Sequence, residues 1–67
     1  MIKVKIRLRI AKNQHIQEIN DISNMYQKAC ELSKRFPKDY VLIEIADENS
    51  NFENWEVIAI YQNGKKL

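Results

Sequence analysis

The sequence predicts a small α+β fold, a β-α-β-β two-layer sandwich in which one helix packs on a three-stranded, mainly antiparallel sheet. Three observations lead there: strict alternation of apolar and charged residues from Ile2 to Ile10, one amphipathic stripe from Ile22 to Phe36, and two β-rich runs bounded by turn formers. The 67 residues read as one domain, 1–67, with no repeat or linker. At this length, burial of apolar surface barely offsets chain entropy, so dimerisation is an expectation. One cysteine and one histidine supply neither an internal disulfide nor a structural zinc site, and the core must come from packing.

The first strand is placed at about 2–10. Ile2, Val4, Ile6, Leu8 and Ile10 point one way and Lys3, Lys5, Arg7 and Arg9 the other, the pattern of a half-buried strand with cations on its open side. A polar link over 11–14 follows. Ile22, Met25, Ala29, Leu32 and Phe36 then step by three and four, which predicts a helix over about 20–36, with Asn20 or Asp21 as N-cap. Ile16 and Ile19, also three apart, extend the same pattern back toward His15. Lys34 and Arg35 suit the negative helix end, and Pro37 ends the helix near Phe36.

Tyr40 to Ala46 is rich in β-branched and aromatic residues and predicts the second strand, with Val41, Ile43 and Ile45 on one side and Tyr40, Leu42 and Glu44 on the other. The third strand is placed at about 55–62, with Ile58 and Ile60 facing the helix and Trp55, Val57, Ala59 and Tyr61 facing away. Apolar on both faces, it reads as central, giving the order 1-3-2. A one-residue shift in its register would exchange the two sets. Asn63 and Gly64 signal a turn, and the tail 63–67 is expected to fray.

Charge is segregated along the chain although the net charge is only +2. Lys3, Lys5, Arg7, Arg9 and Lys12 give residues 1–17 five positive charges and no acid, and Asp39, Glu44, Asp47, Glu48, Glu53 and Glu56 give residues 39–56 six negative charges and no Lys or Arg. A phosphate binder presents a basic field over a whole face, so this dipole argues against nucleic acid as first choice. It suits head-to-tail association.

Nothing in the predicted fold covers the sheet face opposite the helix. Lys3, Lys5, Arg7, Arg9, Tyr40, Leu42, Trp55, Val57 and Tyr61 are therefore the candidate binding residues. Apolar patches of this kind mark association surfaces, and Trp, Tyr and Arg dominate interface energetics. The expected function is a non-enzymatic protein-interaction module, self-associating or regulating a larger protein through that face. The alternative is single-stranded nucleic-acid binding, with Arg7 and Arg9 on phosphates and Trp55 or Tyr61 stacked on a base. A plainer reading makes the cations simple protection of a sheet edge.

Other constellations carry less. Asp47, Asn49 and Asn51 imitate the opening of a calcium loop, but Phe52 stands where glycine is needed and Ile58 where the bidentate glutamate belongs. Cys30 has no base at hand, and Glu44 and Glu56 are better placed to pair with the first-strand cations than to do acid–base chemistry. No metal, cofactor or catalytic group is expected. No segment reaches the roughly 18 apolar residues of a membrane span, nor does the start resemble a signal peptide, so a cytoplasmic protein without membrane partners is expected. Heavy use of Ile, Lys and Asn suggests a bacterial or mobile-element gene rich in AT.

Overall fold

A computed structural model describes residues 3–12, 15–19 and 22–67, His15 by its backbone only. Ile2, placed in the core above, and the proposed caps Asn20 and Asp21 lie outside the described residues. The elements are β1 (Val4–Ile10), β2 (His15–Ile19), α1 (Met25–Arg35), β3 (Val41–Asp47), β4 (Glu56–Gln62) and β5 (Lys65–Lys66), with short 3-10 turns at Ile22–Asn24 and Glu48–Ser50. One helix packs on one antiparallel sheet, as expected. The sheet has five strands instead of three, in the order β2-β1-β3-β4-β5.

Both additions lie at the sheet edges. The segment His15–Ile19 precedes the expected helix, and its Ile16 and Ile19 also fit a backward extension of it; instead it returns along β1, pairing Ile6 with Ile19 and Ile10 with His15. A spacing of three fits a strand as well as a helix when only two apolar residues define it, and pairing with β1 buries Ile19 in the core. The helix is correspondingly shorter than the expected 20–36 and ends at Arg35, where the Phe36 amide still reaches the Leu32 carbonyl before Pro37. The tail expected to fray forms β5. Asn63 and Gly64, at φ 51° and 81°, make a tight turn of the kind that matches strand twist. Lys65 and Lys66 then pair with Gln62 and Tyr61, and the Leu67 amide donates to the Ile60 carbonyl at 2.8 Å.

The strand order also corrects the expectation. β3 is central, and β1 is interior, between β2 and β3, whereas β4 was expected to be central and β1 an edge. Because β2 and β3 are both antiparallel to β1, they run parallel to each other, and α1 connects them over the helix-side face. Ile6, Leu8, Ile10, Ile19, Val41, Ile43, Ala59 and Tyr61 meet Met25, Ala29 and Leu32 of α1 in the core. Each buried Ile or Leu contributes roughly 1.5–3 kcal/mol of transfer free energy.

β4 departs most from the alternation read in the sequence. Its register follows Val41↔Tyr61, Leu42↔Ile60 and Ile43↔Ala59, then slips so that Glu44 faces Val57, leaving Ile58 as the extra residue of a β-bulge. Ala59 and Tyr61 thus lie under the helix, while Ile60 shares the outer face with Leu42. This reverses the expected assignment of Ile60, Ala59 and Tyr61, and Ile58, expected to face the helix in the core, is instead the unpaired, exposed residue of the bulge. On the other side of the bulge, Val57 stays on the outer face, as expected.

Candidate functional site

The face away from α1 is built from two rows that cross four strands in register. One reads Ile16, Arg9, Leu42, Ile60; the other reads Glu18, Arg7, Glu44, Val57. The alternation of β1 puts Arg7 and Arg9 here, because Ile6, Leu8 and Ile10 are committed to the core. Only Arg7 and Arg9 of the cationic row reach the middle of the sheet.

Glu44 stands between them. It is 4% exposed, and among the described residues no buried side-chain nitrogen or oxygen lacks a partner. The Arg7 Nε donates to Glu44 Oε1 at 2.9 Å, the Arg9 Nε donates to the same oxygen at 3.0 Å, and Arg9 Nη2 reaches Oε2 at 3.4 Å. Burial pushes the Glu44 carboxyl up, but the hydrogen bonds and charges of Arg9 and Arg7 outweigh it and hold the group below its ordinary value. Glu44 is an ionised structural link, poorly suited to general acid or base work.

The segment between β3 and β4 supplies the aromatics. The Arg7 guanidinium carbon lies 4.0 Å from the centroid of the Trp55 ring, and the Lys5 ammonium 4.5 Å from that of Phe52. Such stacking holds a cation in place at about 0.5–1 kcal/mol where exposed, and more where desolvated. Asp47 organises the segment, its carboxylate accepting the Ser50 amide at 3.0 Å. Asn51 and Phe52 both adopt φ 56°, and the Phe52 amide is fixed on the Asp47 carbonyl at 2.9 Å. A left-handed backbone at a bulky residue costs of order 1–3 kcal/mol, which the ring contact and this hydrogen bond help to offset.

The candidate residues divide accordingly. Arg7, Arg9, Leu42, Trp55 and Val57 come together on the outer face. Lys5 joins them at its rim through Phe52, while Lys3 is an exposed position whose carbonyl accepts the Glu48 amide. Tyr40 is exposed just before β3. Tyr61 does not belong: at 8% exposure it lies in the core beneath α1, and burial first, then the neighbouring Cys30 and Tyr26, raise its hydroxyl pKa. Ile16, Glu18 and Ile60 belong to the face and were not among the candidates. The alternation in His15–Ile19 was the only signal for the first two, and the bulge concealed the third.

Elsewhere the chemistry is sparse. A depression of about 580 Å³ at one end of the sheet is lined by residues including Val4, Ile45, Asp47, Asn49, Asn54 and Glu56, but Asp47 is engaged as a cap. Among the described residues no three His, Cys, Asp or Glu side chains gather where a metal could sit, and no helix is long and apolar enough to cross a membrane. Compared with models of known protein families, with characterised proteins and with solved structures, the chain matches none.

Proposed function

We propose that this chain is a small, non-enzymatic protein-interaction module that engages its partner, a larger protein or a second copy, through the sheet face opposite α1. The observation that carries this reading is the composition of the two cross-strand rows. Apolar Ile16, Leu42, Ile60 and Val57 surround an Arg7–Glu44–Arg9 cluster, with Val57 at 46% exposure and Trp55 beside it. Apolar area with fixed Arg and Trp side chains is the mixture that dominates protein interfaces. Lys3 and Lys5 at the rim would speed encounter with an acidic partner surface.

Single-stranded nucleic acid is the competing occupant. A phosphate would have to draw Arg7 and Arg9 from a carboxylate that already takes three hydrogen bonds, and Tyr61 is not available for stacking. Both features favour protein.

A photoreactive phenylalanine analogue at position 57 tests the reading in cells. It should yield a discrete protein adduct, whereas the same group at Glu31, exposed on α1, should yield none. Equal labelling from both positions would sink the face as a specific surface, and nucleic-acid adducts from position 57 would replace the proposal with its competitor.

A further inference from the structure

We propose that the outer edge of β2 is a self-pairing seam, along which His15–Ile19 of one copy adds antiparallel to His15–Ile19 of a second copy about a two-fold axis. This inference concerns the strand edge, not the sheet face proposed above, although Ile16 belongs to both. Its starting point is the contrast between the two sheet edges. β5 is a two-residue strand, both residues lysine, which is how an edge is kept from pairing. β2 has five residues with no Lys, Arg or Pro, and Ile16 stands 48% exposed on it. An edge strand presents a row of outward N–H and C=O groups, and the sequence of this one holds no Lys, Arg or proline to guard them.

The sequence of β2 selects a second copy as the occupant. In a two-fold pair centred on Gln17, each Gln17 faces its own symmetry mate, and an amide side chain both donates and accepts, so it is self-complementary. Ile16 then faces Glu18 of the partner copy. Across the seam one row would read Leu42, Arg9, Ile16, followed by the partner's Glu18, the partner's Arg7 and the partner's Glu44. Along it charges alternate in sign and no like charges are adjacent. Centring the pair on Glu18 would set the two carboxylates directly opposite, which is destabilising. The axis through the Gln17 pair is perpendicular to the sheet, so both helices fall on one side and both outer faces on the other. Two five-stranded sheets would merge into one of ten strands.

The test is light-scattering mass over a concentration series from micromolar to millimolar, with amide hydrogen exchange on the same samples. The wild-type mass should rise from 8.0 kDa toward twice that, and the amides of 15–19 that point away from β1 should become protected with concentration while those of Glu56 and Val57 do not. Ile16→Lys should hold the protein monomeric. Gln17→Glu, a surface change that leaves the fold intact, should weaken the dimer several-fold, with added salt restoring it. Val57→Lys should leave the dimer unchanged, which separates this seam from the sheet face. A wild type of 8.0 kDa throughout, or a dimer that Val57→Lys dissociates, would overturn the proposal.

Discussion

Arg7 has two partners of different kinds, a carboxylate from the neighbouring strand and an indole stacked on its guanidinium. Removing the charge of Glu44 while keeping its shape leaves Arg7 and Arg9 repelling each other over a buried amide. Glu44→Gln should therefore cost about 2–3 kcal/mol, read from urea denaturation. The pH dependence follows from the depressed carboxyl. Its stabilisation is present above the ordinary Glu pKa and is lost as pH falls through the lower folded value, so the gap between wild type and Glu44→Gln should close below about pH 4. Tyr61 acts at the other end of the scale. Its raised pKa gives stability that is present below about pH 10 and lost as pH rises further, and Tyr61→Phe should flatten that alkaline limb. The cationic row and its pairing with Glu44 were legible in the sequence, because alternation over 2–10 leaves a single way to point the charges. The burial of Tyr61 was not, since it depends on pairing with Val41 after a slip that no residue type announces.

At the scale of elements, the least legible pieces are those held by partners distant in sequence. β5 is too short to persist alone, yet its turn is tied to the helix. Ser33, fully buried on α1, accepts the Gly64 amide at 2.8 Å and donates to the Cys30 carbonyl at 2.7 Å, and the Cys30 thiol donates to the Gly64 carbonyl at 3.3 Å. Ser33→Ala should cost about 1–3 kcal/mol by leaving a buried amide unpaired, and hydrogen exchange should show Leu67 opening before the β1–β3 amides. Gly64→Ala is strained by φ 81°, and its new methyl would meet the Lys34 side chain at 2.8 Å. That side chain is flexible and can move aside, so the backbone sets the loss at about 1 kcal/mol, visible in thermal melts. β1, α1 and β3 were readable because each repeats its pattern over seven residues or more. β2 offers two apolar positions and β5 none, and pairing decides both.

Across the whole molecule, the charge segregation along the chain is folded into cancellation. β1 carries Lys5, Arg7 and Arg9, and the strand beside it carries Glu44 and Asp47, so the dipole read along the sequence becomes neighbouring strands of opposite sign. Oligonucleotide binding measured through Trp55 fluorescence should accordingly be absent at near-physiological salt. A saturating quench that weakens steeply with added salt would contradict this. The core beneath is a single cluster centred on Leu8 and Ile43, both fully buried, and Leu8→Ala should cost about 2–5 kcal/mol in denaturant unfolding. The spare residue in β4 has a different kind of consequence. Because Ile58 is the spare residue, the slip around it keeps Val57 opposite Glu44; paired without that slip, Ile58 would take this place, turning Val57 toward the helix and bringing Glu56 to the outer side. Deleting Ile58 would therefore leave the same side chains on each face over an unbroken ladder, whereas flattening the bulge at full length would exchange the chemistry of this surface, so its identity resides in a backbone irregularity as much as in the side chains it carries.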